Sequence, residues 1–326
     1  MRSATSFLMA GVVVLGFLSG PSVAAFRQEG KLAYQWKKGL ALKYRIVQKS
    51  TTVLSGMPGG MGDLTIEQSA TQVLNSVVDD VAADGTATLR QSVEAIKMEI
   101  ASPMMTISFD SAAPEAAPGT PSAMFKDLFS QMIGQPFTMT MAPTGEVKKV
   151  EGVSQLADKM FKSVAPDPSM AGILDSMKAN MNDDAMRTMF AQSFAQLPDR
   201  PVKIGDSWDS QVASANPMLG TLITSMKATL KSVDADGAAR LARIATAISV
   251  KRDASKPVPP NPMGLTLDVG EASGDGEQGF DISAGQLRSS VVRLTIPMSM
   301  SGTAPDGTAL NVQTQVKSTT TIDLVK

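Results

Sequence analysis

The sequence predicts a β-rich α+β protein: two similar antiparallel β lobes, arising by internal duplication, with a helical segment between them. Three observations carry this expectation. The stretch Val81-Ala-Ala-Asp-Gly-Thr-Ala-Thr-Leu89 returns as Val233-Asp-Ala-Asp-Gly-Ala-Ala-Arg-Leu241, an offset of 152 residues from Asp84 to Asp236. Each copy sets Asp-Gly between apolar-rich runs, the strongest short-range hairpin signal. Alternating runs surround both copies, whereas stripes at helical spacing gather between them.

Residues 1–25 read as a signal peptide. Arg2 supplies the positive start, Phe7 to Leu18 is an apolar run too short for a comfortable membrane span, and Ser22-Val-Ala-Ala25 offers small residues for cleavage. An uncleaved N-terminal anchor is the competing reading. The mature chain is therefore expected to be exported, periplasmic or extracellular, with no transmembrane segment after cleavage.

The first lobe is expected over residues 26–151. Leu40 to Leu54 and Leu64 to Val81 look like strands. In the second of these Leu64, Ile66, Ala70, Leu74 and Val78 share one parity, the mark of an antiparallel sheet with one wet face. Ser55-Gly-Met-Pro-Gly-Gly-Met-Gly62 between them is a loop. After the first Asp-Gly turn come Met105-Thr-Ile-Ser-Phe-Asp110 and Phe137-Thr-Met-Thr-Met141. Met263-Gly-Leu-Thr-Leu-Asp268 and Phe280-Asp-Ile-Ser283 match them in the second half, in the same order, and Gly145 and Gly285 mark the turns that follow. Ordered matches of this kind are the signature of a repeat. An Ala/Pro linker between Asp110 and Pro121, and Lys256-Pro-Val-Pro-Pro-Asn-Pro262, act as spacers. One helix is inserted near residues 121–133, where Met124, Phe125, Leu128, Phe129 and Met132 follow Ser122 at helical spacing.

Residues 152–198 form the helical connecting segment. Val153, Leu156, Met160, Phe161 and Val164 make one stripe, and Met170, Ile173, Leu174 and Met177 another. Asn182-Asp-Asp184 caps a further helix with Met186, Met189, Phe190, Ser193 and Leu197 on one face, and Pro198 fits its end. The second lobe follows over residues 199–326. Pro201 to Trp208 restarts the β pattern and Leu219 to Val233 continues it. Leu287 to Ser301 and Ala309 to Val325 close the chain as two long strands rich in β-branched residues.

Composition limits the chemistry. The chain of 326 residues has no Cys and no His, a net charge of −1 and 22 Met. Disulfides, thiolate nucleophiles, Cys or His metal sites and a Ser-His-Asp triad are all excluded. The balanced charge gives no electrostatic footprint for nucleic acid. We therefore expect a protein that is not an enzyme and carries no cofactor. The first expectation is a structural or interaction module of the cell envelope, with another envelope protein as partner. The alternative is a carrier of an apolar small molecule such as a lipid, held in a cavity between helices and sheet. Phe125, Phe129, Met160, Phe161, Met189, Phe190 and Trp208 are the candidate lining, with plain core packing as the competing role. Met139-Thr-Met141 and Met298-Ser-Met300 each place two thioethers on one strand face, a weak copper(I) pattern that lacks His or Cys to complete it. Asp110 and Asp268 sit at matching places, where a strand-ending Asp belongs to a turn.

Gly205-Asp-Ser-Trp208 is the most motif-like stretch. It reads as a turn followed by a large core anchor, with a cleft wall as the rival role. Together with Thr144-Gly-Glu-Val147 it resembles the turns of an uncharacterised family of exported bacterial β-rich proteins, in which Val often stands where this chain has Ile204. The resemblance spans most of the mature chain. It implies a β-rich fold and assigns no catalytic residue.

Overall fold

The computed structural model describes residues 30–57, 62–103, 106–113, 120–163, 178, 181–216, 219–237, 239–258, 266–303 and 309–325. The expected signal peptide, the stripe Met170 to Met177 and most of both linkers lie outside the described residues.

Thirteen strands join one antiparallel sheet: β1 (Ala41–Ser55), β2 (Leu64–Val81), β3 (Ala87–Ala101), β4 (Thr106–Asp110), β5 (Pro136–Met141), β6 (Val147–Glu151), β7 (Ser207–Asn216), β8 (Gly220–Asp236), β9 (Ala239–Arg252), β10 (Thr266–Val269), β11 (Ala272–Asp281), β12 (Gln286–Thr303) and β13 (Ala309–Val325). Their order is β6-β5-β3-β2-β1-β13-β12-β11-β9-β8-β7, with β4 on β3 and β10 on β12. The two lobes expected from the repeat are therefore not separate bodies. β1 pairs with β13 from Lys43–Val325 to Ser55–Gln313, and this seam fuses the two halves. Each of these strands would otherwise expose a long row of unpaired N–H and C=O groups, and pairing them removes both edges.

The two Asp-Gly turns hold corresponding places, joining the second strand of each half to the third. A bulge precedes each, between Val78 and Asp80 and between Leu230 and Ser232. Their lengths differ. The first is closed by Ala82 N–H donating to Thr86 O and Gly85 N–H to Ala82 O. In the second, Asp236 pairs directly with Ala239.

Among the described residues, the helices α1 (Pro121–Ser130), α2 (Val153–Ser163) and α3 (Asp183–Ser193) lie between the halves or on their margin. Thr120 caps α1, and its Oγ1 accepts from Ala123 N at 3.3 Å. Pro121 decides this, because its fixed φ and missing N–H suit the first helical position. Asn182 caps α3 as expected, accepting from Ala185 N at 2.9 Å. Asp183 next to it reaches across to α2, where its Oδ1 accepts from Val153 N at 2.8 Å and Ser154 N at 3.1 Å. Ser154 Oγ accepts from Asp183 N in return. One dipeptide thus satisfies orphan donors at two helix starts.

The sheet curls so that its two edge strands, β6 and β7, both contact α3. The helix covers the gap that strand pairing leaves open. Behind it, Leu197 N donates to Thr144 O at 2.7 Å, and Trp208 Nε1 donates to Gln196 O at 2.7 Å. The segment from Gly30 to Leu40 completes this end, although its sequence shows no periodicity. Gly30 pairs with Val202, Tyr34 N donates to Pro143 O, and Gln35 N donates to Gly285 O. Leu32 and Tyr34 are buried, with Tyr34 stacked on Trp36 and edge-on to Phe280. The core fills this end of the strands around Leu89, Met139, Met141, Phe190, Leu230, Ile244 and Leu287.

Candidate functional site

The long strands run past this core. β1, β13 and β12 keep their alternation without a register shift between them, so parity names the face of each residue in their paired spans. Tyr44, Ile322 and Ser290 are buried on the core side, and the same side continues through Ile46, Gln48, Ser50, Thr52 and Leu54 of β1. β2 adds Leu64, Ile66, Gln68, Ala70 and Gln72 beside them. β13 adds Val312, Thr314, Val316, Ser318 and Thr320, and β12 adds Val292, Leu294, Ile296, Met298 and Met300. Gln48 and Gln68 are exposed, Val312 is buried and the other residues of this set are half-buried.

No ionisable side chain stands among these twenty positions. Within the paired spans of these strands the charges, including Arg45, Lys49, Glu67, Arg293, Lys317 and Asp323, have the opposite parity. The face extends over eight residue steps of β1, about 27 Å, and across four strands, about 14 Å between outer axes. Half of a bilayer's hydrocarbon core, the reach of one set of acyl chains, is about 15 Å. An uncharged, partly open surface of this size is the kind that marks a binding site.

The residues expected to line a cavity do not gather on this face. Phe190 is buried between Phe137 and Phe194, at ring distances of 5.9 Å and 6.1 Å. Trp208 is buried in the same core. Met160 packs on Leu128 in a second, small cluster joined by Phe161. Phe129 stacks on Phe109 at 5.6 Å, and Met189 is 42% exposed on the surface. The side chain of Phe125 lies outside the described residues. A recess of about 580 Å³ opens near the ends of β1, β2 and β13, lined by Leu42, Lys43, Asn75, Ser76 and Arg288 among others and by none of these seven.

Gly205-Asp-Ser-Trp208 is a turn, as expected. Gly205 has φ +96°, Asp206 Oδ2 accepts from Lys203 N at 3.2 Å, and Ser207 Oγ bonds Thr229 Oγ1 at 2.9 Å. Thr144-Gly-Glu-Val147 is a turn too, and Gly145 there has φ +85°. A family model matches residues 84–284, a span that includes both turns. The chain belongs to DUF6263, a family of unknown function. No curated protein matches this DUF6263 chain.

Among solved structures, one on lipid–protein interactions in lipovitellin is 10% identical with a TM-score of 0.43, covering 90% of this chain and 26% of that one. The DUF6263 chain thus spans about a quarter of the length of the lipovitellin chain. An outer membrane channel from Pseudomonas putida is 8% identical with a TM-score of 0.25, covering 90% of this chain and 97% of that one. DynF from the dynemicin biosynthesis pathway of Micromonospora chersina is 8% identical with a TM-score of 0.18, covering 91% and 86%. These scores are too low to assign a shared fold.

The titratable groups are mostly structural. Burial holds the Tyr34 and Tyr44 phenols well above their ordinary value, and Tyr44 adds to the effect on Tyr34. Hydrogen bonds from Lys43 and then Asn75 hold Glu94 below the usual range, and Thr86 does the same for Asp84. Asp110 and Asp268 stand apart on separate strands, each in an ion pair, with Lys97 and Arg252. Among the described residues no three Asp or Glu side chains converge as metal ligands. Met139 and Met141 are fully buried in the core, whereas Met298 and Met300 lie on the uncharged face beside Val269 and Leu267. Among the described residues no helix is long and apolar enough to cross a membrane.

Proposed function

We propose that this DUF6263 protein is an exported, non-catalytic envelope protein that carries an apolar ligand, such as a lipid, on the uncharged face of its sheet. The single observation that supports the reading is the complete segregation of charge. Twenty core-side positions on β2, β1, β13 and β12 hold none, and all of them but Val312 stay partly open to solvent. A face with no role beyond folding would be covered, since leaving so much apolar surface in water forgoes about 25 cal/mol per Å². Binding here differs from the cavity expected between helices and sheet, because the helices pack against β4, β6 and β7.

The test is native mass spectrometry of the protein purified from its export compartment, followed by lipid extraction. Co-purifying acyl lipid in a fixed ratio is the expected result. Recovery of lipid-free protein that also binds no lipid when presented with micelles refutes the reading. Detection of Met1 at the N-terminus in a membrane fraction replaces the soluble carrier with an anchored one.

A second reading, an interaction module for another envelope protein, is favoured by β7. Among the described residues this strand pairs only with β8 and ends the sheet, leaving a template for an added strand where α3 does not cover it. A proline placed at Ala213, an exposed position on this edge, leaves lipid recovery unchanged under the carrier reading and abolishes partner capture under the module reading. We also propose internal duplication as the origin of the sheet, supported by the equivalent hairpins and their bulges.

A further inference from the structure

The uncharged face is not uniformly apolar. At its centre, Gln48 lies between Ala70 and Thr320, and Ser50 lies between Gln68 and Ser318. One step toward the core, Ile46 lies between Gln72 and Ile322. Gln48, Gln68, Gln72, Ser50, Ser318 and Thr320 therefore form a contiguous island of amides and hydroxyls on three neighbouring strands. Apolar side chains frame it on both sides. Met98 and Ile100 of β3, with Phe109 and Ile107 of β4, stand beyond β2. Val292, Leu294 and Ile296 of β12 stand beyond β13.

Two further facts point to a ligand. Among the described residues, no hydrogen bond joins any of the six island side chains to another protein group. At the margin of the island, on the row of Gln72 and Ile46, Ser290 is 1% exposed and its Oγ has no hydrogen-bond partner. A buried hydroxyl without a partner loses free energy that a suitably placed ligand atom restores. The nearest cations on these strands, Arg45, Lys49 and Lys317, point to the other face.

We propose that the ligand is a neutral acyl amphiphile of the diacylglycerol type, whose uncharged headgroup is seated on this island while its chains lie along the apolar frame. The proposal rests on the lipid-carrier reading above and goes further by naming the headgroup. Amides and hydroxyls offer both donors and acceptors, the match for hydroxyl and ester oxygens. An ionised phosphate moved onto the same face leaves water without meeting a cation, which is costly.

The experiment uses the delipidated full chain and two probes with identical acyl chains, dioleoylglycerol and dioleoylphosphatidylglycerol, in matched neutral-detergent micelles. Each Kd is measured by competition against a fluorescent acyl probe. Dioleoylglycerol is expected to bind at least ~10-fold more tightly, about 1.4 kcal/mol. A Gln48→Lys, Gln68→Lys variant reverses that preference, and circular dichroism shows that its fold is retained because both side chains are exposed. Should that variant not fold, Gln48→Leu, Gln68→Leu is expected to keep binding both lipids while the preference falls toward unity. Equal affinity in the unaltered chain, or a preference for the anionic lipid, overturns the headgroup assignment and leaves the carrier reading standing. Failure of both lipids to bind overturns the carrier reading itself.

Discussion

Gly145 is where three separate parts of the chain converge, and replacing it with Ala tests whether the core end is built as described. The residue has φ +85°, and a Cβ there would run into the carbonyl oxygen of Ala195 and stand 2.8 Å from Tyr34 Cε2. Two penalties follow. The left-handed conformation costs a non-glycine residue about 1–2 kcal/mol, partly offset by about 0.4–1 kcal/mol from the stiffer unfolded chain. The clash adds about 1–3 kcal/mol, the usual penalty for overfilling a packed site, because a backbone carbonyl and a buried ring cannot swing aside. Gly39→Ala separates the two, since Gly39 has φ +82° and nothing within 4 Å of its Cβ position. We expect about 1 kcal/mol of destabilisation for Gly39→Ala and roughly 3 kcal/mol for Gly145→Ala. Urea unfolding followed by tryptophan fluorescence reads both as shifts in midpoint at constant slope. Equal losses in the two variants would show that the Tyr34 segment and the segment after α3 do not meet the β5–β6 turn.

Other outcomes follow from the same structure. Asp183→Ala removes the acceptor for two backbone donors at the start of α2 and is expected to cost about 1–2 kcal/mol, whereas Asp184→Ala, whose side chain is exposed, costs less than about 0.5 kcal/mol in the same urea series. Tyr34 and Tyr44 are the only two tyrosines, and both have raised pKa values in the folded chain. Their contribution to stability is complete below the unfolded value near 10 and is lost as pH rises beyond it. Tyrosinate absorbance should therefore appear together with loss of near-ultraviolet circular dichroism; its appearance in a still-folded chain would contradict the burial of both rings. Zn²⁺, Ca²⁺ and Cu⁺ are expected to leave the Tm unchanged, because a ligand that binds only the folded state must raise it. A stoichiometric rise with Cu⁺ that vanishes in Met298→Leu, Met300→Leu would establish a thioether site.

The sequence by itself determined the elements. Period-two alternation locates β1, β2, β12 and β13, and the Asp-Gly pairs locate two hairpins, because a strand's exposure and a turn's backbone are local matters. Asn182 and the Met/Phe stripe behind it locate α3 for the same reason. Two pieces escaped this local reading. The Gly-rich start of β11 offers few side chains to show a period, and Gly30 to Leu40 makes its contacts with Val202, Pro143 and Gly285, all remote in the chain. Tertiary structure alone decided that the halves share one sheet, since β1 and β13 announce themselves as strands but not as partners. It also decided the site. Phe190 and Trp208 look like ligand lining in sequence because an apolar stripe is the same whether it meets a core or a cavity, and here they meet a core. The uncharged island became visible only once β2, β1 and β13 were in register, because its six residues come from three separate stretches and no spacing within any one of them sets it apart.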